Sequence, residues 1–533
     1  MVINMKKELI IICFILIALS FSVFTSETFD SYSSDEPEIP GFIILAHANK
    51  EGRIKITQER ISILGACDPE FPLYINDEEV STTAKGFFSV HVELEIGDNL
   101  FLFKNGEEVA EIKVSRSLPE PIEPEPPLYF EEAVYAIAAN ANISRFYERD
   151  DDNNPGTPLV KGTVFRITAE DGQFYQIHDG SYVFKSSVEL LEEIEGEHTN
   201  SLYSVEMQAE SAIVTLYHKI YEDETGIEFE LNTESFEIPF EKGRIATGYS
   251  VEIADNKPIV SIEYALTDIS EATVLLDAGH GGSDPGALGP PGEFGLMEKD
   301  FNLYVAQKTR DYLENIGINV IFPRSSDEHV PILERMEHFF DSYDIGVSIH
   351  ANSMPMHHDF TGDEGPLMFY SAEHSEKAAS GIIEHIAAKT GHEFNPAILR
   401  NFGIARYTSA PSMLFEMGYM CNPHEYERLL DTDYLDLIAE SLGEGIVQYL
   451  GETSQKAREE FDVFGSTEPP ETEVIIEEST VELAEEAITT SFTPDNSPRN
   501  KPLMFTIAFL AIVALNLIIR RIISKTKNKK GQG

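Results

Sequence analysis

The 533-residue sequence predicts a multidomain chain: β-rich N-terminal modules, an α/β domain with a mostly parallel sheet, a disordered stalk and a C-terminal transmembrane helix. Three observations predict it. Residues 40–271 carry short runs in which apolar and polar residues alternate between turn signals, the signature of half-buried strands. Residues 272–451 change period, with apolar strand-like runs alternating with helical ones, the order that produces βαβ units. Beyond residue 452, Glu, Thr, Ser and Pro displace aromatic residues until a last apolar run near the C-terminus. The length implies about two to four domains, and 42% hydrophobic residues suffice for real cores.

The modules follow in order. Lys6 and Lys7 precede the apolar run Leu9–Phe24, so residues 1–26 have the form of a signal peptide or signal anchor. Residues 40–116 hold Ile54-Lys-Ile, Leu73-Tyr-Ile, Phe87-Phe-Ser-Val-His-Val-Glu-Leu and Leu100-Phe-Leu-Phe, separated by Asn76-Asp, Gly97-Asp and Asn105-Gly. This pattern resembles an immunoglobulin-like β-sandwich of bacterial surface proteins. Residues 117–128 form a proline-rich linker, stiff through its fixed φ angles. Residues 129–192 contain Asn140-Ala-Asn-Ile-Ser, Lys161-Gly-Thr and Phe174-Tyr-Gln-Ile, an order that resembles bacterial SH3-like wall-binding modules. The Gly-Trp-Val ending of those modules is absent, and the chain has no Trp. Asp150-Asp-Asp-Asn-Asn lacks the spaced ligands and closing Glu of a calcium loop and reads as a solvated loop. Residues 193–271 are β-rich and carry no assignable chemistry.

At the other end, residues 452–501 read as an extended acidic stalk. Residues 502–520 follow as a transmembrane helix, and residues 521–533 as a basic tail that places the C-terminus in the cytoplasm. Everything before that helix is then extracytoplasmic, facing the cell wall. The formal net charge of −53, from 92 acidic and 39 basic residues, excludes direct nucleic-acid binding, because a polyanion would be repelled. Cys13, Cys67 and Cys421 fall in separate segments and make no disulfide framework, which for an exported chain points to a bacterium.

Chemistry concentrates in residues 272–451. A helix predicted over 298–316 aligns Phe301, Tyr304, Val305, Tyr312, Leu313 and Ile316 on one face, which packs it on the sheet. Further helices are expected over 331–343, 374–390 and 433–450. His280 follows Val274-Leu-Leu-Asp-Ala-Gly, His350 ends Ile345-Gly-Val-Ser-Ile, and Glu416 ends Met413-Leu-Phe. In open α/β sheets, reactive groups gather at these carboxyl ends of strands. An ionisable residue there is costly unless paired or liganded. Glu298 joins them in the first turn of its helix, where the dipole favours a carboxylate. Two imidazoles and one carboxylate leave Zn²⁺ a fourth position for water, the pattern of a catalytic site. The spacing is not that of a helical His-Glu-x-x-His motif.

The segments Asp277-Ala-Gly-His-Gly-Gly-Ser-Asp-Pro-Gly-Ala287, Glu298-Lys-Asp-Phe-Asn302, Arg324-Ser-Ser-Asp327, Ser348-Ile-His-Ala-Asn352 and Phe415-Glu-Met-Gly-Tyr-Met-Cys-Asn-Pro423 occur in order. Together they resemble the zinc-dependent N-acetylmuramoyl-L-alanine amidases, which cut bacterial peptidoglycan. The resemblance implies His280, Glu298 and His350 as zinc ligands and Glu416 as catalytic acid/base. It implies peptidoglycan as the substrate partner and the amide between the lactyl group and L-alanine as the bond cut. Asn302 and Asn352 are expected to support the ligands, Arg400 to meet a peptide carboxylate or simply solvent, and Cys421 to be a buried inert thiol.

Two departures stand out. The insertion Pro290-Pro-Gly-Glu-Phe makes Glu293 a rival ligand to Glu298. The insert 353–366, with His357, His358, Asp359, Asp363 and Glu364, either lines the cleft or forms a solvated loop. The alternative functions are an inactive wall-binding or adhesion protein and a zinc peptidase acting within the peptide stem.

Overall fold

The structure, a computed structural model, describes residues 44–454 apart from 46–52, 120–125, 141, 150–152, 154, 192–199, 219–231, 255–256, 340–341 and 363. The expected signal segment, most of the proline-rich linker, the acidic loop, most of the stalk, the transmembrane helix and the basic tail lie outside the described residues. Among the described residues no helix is long and apolar enough to cross a membrane.

The α/β domain is built on one six-stranded sheet. Its elements are β1 (Thr273–Ala278), α1 (Glu298–Asn315), β2 (Asn319–Ile321), α2 (Ile332–His338), β3 (Ile345–Asn352), β4 (Leu367–Tyr370), α3 (Glu376–Thr390), β5 (Ile398–Leu399), β6 (Ser412–Tyr419), α4 (Pro423–Leu429) and α5 (Thr432–Thr453). The spatial order is β2-β1-β3-β6-β4-β5. The first four strands run parallel, while β4 is antiparallel to β6 and β5 follows β4. The central strands are covered on both faces, so they read as nearly continuous apolar runs rather than alternating ones.

One face packs Val274, Leu276, Val347, Ile349, Met413 and Phe415 against α1, α3 and α5. The opposite face carries Leu275 against Phe339, Tyr343 and Tyr407. The helix expected over 331–343 is only α2, because the chain after His338 turns to bury Phe339 and Tyr343 there. Phe339 stacks on Tyr407 at 5.1 Å, and that burial outweighs continuing the helix.

The N-terminal region is β-rich, as expected. A three-stranded sheet (44–45, 60–66, 87–93) and a five-stranded sheet (53–56, 108–116, 97–105, 73–75, 78–80) enclose one apolar core. Strand Arg60–Ala66 has no alternation to reveal it, since six of its seven residues are buried. Ile61 and Ile63 face the core of this module, whereas Leu64 and Ala66 pack into the α/β domain. Phe87 and Phe88 divide in the same way, with Phe87 set edge-on to Tyr426 of α4 at 5.2 Å.

Residues 128–191 form a second five-stranded sheet with its own core around Phe165, Ile167 and Val183. The region 200–264 builds a three-stranded sheet and a hairpin around Leu202, Val214 and Tyr249. Tyr249 donates its backbone N–H to the Thr408 carbonyl at 2.7 Å, and Ser144 accepts from Asn401 at 2.5 Å. Both modules are therefore seated on the α/β domain. Buried Arg145 joins the two, reaching Asp179 at 3.4 Å and the carbonyl of Tyr203.

Candidate metal centre and active site

The parallel ladder sets the site's layout. His350 of β3 pairs in register with Glu416 of β6, so neighbouring strands present both side chains on the same face at the carboxyl rim. His280 sits just past β1 in a left-handed conformation, φ 59°, which is uncommon for a non-glycine residue and marks a locally constrained loop. Buried Arg335 of α2 holds that constraint by donating to the Asp277 carboxylate at 2.7 Å, to the Ala278 and Val330 carbonyls and to the His280 carbonyl. Arg324, also fully buried, donates to the carbonyls of Ala278, Gly279, Lys299 and Ser326.

Glu298 occupies the first turn of α1, whose end is tied down by Met297 N–H donating to Asp300 at 2.9 Å. Its Oε2 accepts from the Ala287 N–H at 2.7 Å. Its Oε1 faces His280 Nε2 at 3.1 Å and His350 Nδ1 at 2.9 Å. Asn302, one helical turn on, donates to the same oxygen at 3.2 Å. Asp284 lies 2.9 Å from His280 Nδ1, which fixes the ring with Nε2 facing the glutamate. Gly279 is required by proximity: a Cβ there would fall 2.2 Å from Cε1 of His350.

These three residues are the one group among the described residues whose ligand atoms can hold a metal ion, all lying within 4.8 Å of one another. Two nitrogens and an oxygen suit zinc, for which a tetrahedron with ~2.0–2.2 Å bonds has edges of roughly 3.3 Å. The observed separations are close to that, and the outward atoms of His280 and Glu298 are already partnered. The donor set fits the ion.

Charge reinforces the picture. Burial works against an ionised Glu298, yet the two imidazoles bonded to it hold its pKa well below the carboxylate range. Burial likewise opposes a charged His280, but Glu298 and Asp284 raise its pKa. Glu416 goes the other way. Burial, followed by the charge of Glu298, pushes it well above the usual carboxylate value. Its Oε2 is buried without a hydrogen-bond partner among the described residues. An orphaned carboxylate oxygen with a raised pKa beside a ligand cluster makes Glu416 a candidate for acid–base chemistry.

The structure brings His280, Glu298, His350 and Glu416 together and leaves other candidates apart. Glu293 is exposed in a short 3₁₀ turn and does not join the ligand atoms. Asn352 accepts from its own neighbour Ser353 at 2.7 Å rather than from a ligand. Arg400 follows β5, and because β5 runs antiparallel to β6 it lies at the sheet edge opposite Glu416. Cys421 is buried, as expected, and accepts from the Met354 N–H at 3.3 Å. His357, His358 and Asp359 are exposed and outside the ligand group.

The insert that carries them is nonetheless anchored. Phe360 is fully buried with Leu64, Tyr419 and Cys421, and Ser62 bonds to the backbone of Met356 and His358 at 2.6 and 2.5 Å. Sequence reasoning gave no role to Arg335 or Asp284. Asp284, four residues after His280, was the one with a readable signal.

Residues 274–448 match the family model described as N-acetylmuramoyl-L-alanine amidase. The chain is 32% identical to YqiI of Bacillus subtilis (strain 168) over 187 residues, 35% of this chain and 88% of that protein. It is 29% identical to the N-acetylmuramoyl-L-alanine amidase LytC of the same organism over 205 residues, 37% of this chain and 40% of LytC. Among solved structures it is similar to the catalytic domain of CwlV, an N-acetylmuramoyl-L-alanine amidase from Bacillus (Paenibacillus) polymyxa var. colistinus. That likeness has 31% identity and a TM-score of 0.31, covering 34% of this chain and 98% of that one. With the motifs, their convergence at one sheet rim and a relative matched over most of its length, the chain belongs to the N-acetylmuramoyl-L-alanine amidase family, a family of hydrolases.

Proposed function

We propose that residues 272–451 act as a zinc-dependent N-acetylmuramoyl-L-alanine amidase, hydrolysing the amide between the lactyl group and L-alanine of peptidoglycan. One observation carries the reading: the unpartnered Oε2 of Glu416 beside the converging His280 Nε2, His350 Nδ1 and Glu298 Oε1. His280, His350 and Glu298 would hold the zinc, which supplies a Lewis acid for the scissile carbonyl and lowers the pKa of water toward ~7. Asp284 keeps His280 turned toward that position, and Asn302 and the Ala287 N–H fix Glu298. Glu416 takes a proton from the attacking water as its oxygen bonds to the carbonyl carbon. When the carbon–nitrogen bond breaks, Glu416 returns that proton to the leaving alanine nitrogen.

Two accompanying proposals rest on sequence features. The chain works on the outer face of the membrane, tethered through residues 502–520, and the 129–192 module is an SH3-like wall-binding unit.

The test is mass spectrometry of digested peptidoglycan. Free L-alanine amino termini are expected from the wild type. Glu416→Ala should lower that activity by at least about 10²-fold while zinc content stays unchanged. Cuts within the stem peptide, or an active and folded Glu416→Ala protein, would refute the reading.

A further inference from the structure

The register between β3 and β6 slips immediately after Glu416. His350 pairs with Glu416 and Asn352 with Tyr419, so Met417 and Gly418 of β6 stand opposite Ala351 alone. Such a bulge bends its strand and re-aims the side chains beside it. The extra residue has no ladder partner, so the bulge needs other contacts to keep one shape. The aim of Glu416 is therefore set by whatever holds the segment 417–421.

Three fasteners converge there. From α4, buried Glu425 lies against the bulge, where a Cβ at Gly418 would fall 2.9 Å from its Oε2. The same oxygen accepts the Gly365 N–H at 2.9 Å, at the end of the insert that follows β3. At the start of that insert, the Asn352 carbonyl accepts from the Met420 N–H at 2.7 Å, and Met354 donates its N–H to Cys421 Sγ at 3.3 Å. In its middle, fully buried Phe360 packs on Tyr419 and Cys421.

The insert does not hold Phe360 in place by itself, since the residues on either side of it are exposed. The support comes from strand Arg60–Ala66 of the N-terminal module. Ser62, 296 residues before His358, donates its N–H to the Met356 carbonyl at 2.6 Å and its Oγ to the His358 carbonyl at 2.5 Å. Leu64, two residues on and also buried, closes the far side of Phe360.

We propose that the N-terminal module is a built-in activator of the hydrolase. Ser62 and Leu64 hold Phe360, Phe360 braces residues 419–421, and the braced bulge keeps the Glu416 carboxylate on the attacking water. Ser62, Leu64, Phe360 and Glu425 are positioning residues that act through Glu416. The inference rests on the amidase reading for the task of Glu416.

The experiment compares the full zinc-loaded chain with its Phe360→Ala, Phe360→Leu and Ser62→Ala variants on a disaccharide–tripeptide substrate. Phe360→Ala should lower kcat by about 10–100-fold, the scale of an ångström-sized misplacement of a reacting group. KM should stay within about twofold and zinc content should not change, because neither substrate binding nor the ligands are touched. Phe360→Leu refills the wall and should keep kcat within about threefold of wild type. Ser62→Ala preserves every apolar contact and should cost about fivefold in kcat, the scale of one hydrogen bond. It keeps the test decisive should Phe360→Ala not fold. Amide hydrogen exchange across residues 412–422 should quicken by at least about tenfold in Phe360→Ala, while residues 273–278 keep their rate. Unchanged kcat, a loss matched by released zinc or raised KM, or unchanged exchange across 412–422 overturns the inference. Wild-type cleavage at another bond, or at none, refutes the amidase reading instead, and the exchange comparison still decides whether the brace exists.

Discussion

Arg335 and Asp277 form a buried ion pair whose loss should be costly and whose joint replacement should not. Arg335 is 4% exposed and Asp277 1%, with 2.7 Å between them. Arg335→Met removes every donor that Asp277 Oδ1 has here, leaving the carboxylate with Ser348 Oγ on its other oxygen at 2.7 Å. It also strips the Ala278, His280 and Val330 carbonyls of their guanidinium partner. Breaking a buried pair from one side costs about 3–5 kcal/mol, a large share of a typical ~5–15 kcal/mol stability. Asp277→Asn should cost a similar amount, because it leaves Arg335 charged and buried. In Asp277→Asn/Arg335→Met neither uncompensated charge remains, so the double variant should recover at least ~2 kcal/mol relative to the sum of the singles. Urea unfolding midpoints of the four proteins, at constant m-value, give the coupling energy. Strict additivity within ~0.5 kcal/mol would show that the pair is not the element holding the His280 loop.

Two further outcomes follow from neighbouring geometry. Asp284→Ala removes the carboxylate 2.9 Å from His280 Nδ1 and should weaken zinc affinity by about 10–100-fold in a chelator competition, with unfolding unaffected. His374, against Tyr249 at the junction with the 200–264 module, is pushed down by burial from 6.5 to about 4. Its folded pKa lies below its unfolded one, so the folded form is disfavoured as pH falls from 6.5 towards 4. The shift corresponds to a loss of roughly 3 kcal/mol. His374→Phe should lose less stability than wild type between pH 7 and pH 4.5 in parallel urea titrations, and equal losses would refute the assignment.

Much of the site was legible because its parts obey local rules. His280, His350 and Glu416 stand at the ends of apolar runs, and Glu298 opens an amphipathic helix. What escaped depends on pairings between distant segments. Three of Arg335's four partners, Asp277, Ala278 and His280, lie more than fifty residues away in sequence, and no pattern near it records them. Arg400, expected either to meet a peptide carboxylate or simply solvent, could not be placed from sequence, because the reversal at β4 is what carries β5 to the other edge. Strand 60–66 was missed because both faces are buried, which erases the alternation that discloses a strand. The insert 353–366 reads as polar loop chemistry, and only Phe360, Met354 and Met356 hint that it is pinned from two sides.

The two-faced strands 60–66 and 87–93 bear on how this protein can be taken apart or recombined. A cut at residue 271 would bare Ala272 and remove Ile269, Ala66 and Phe87 from the core they share with Tyr426. The hydrolase would then expose a sticky flank and lose the wall against which its insert is moulded. The portable cassette therefore begins upstream of residue 60, and a chimera grafting 272–451 onto a foreign anchor needs polar replacements along that flank to stay in solution.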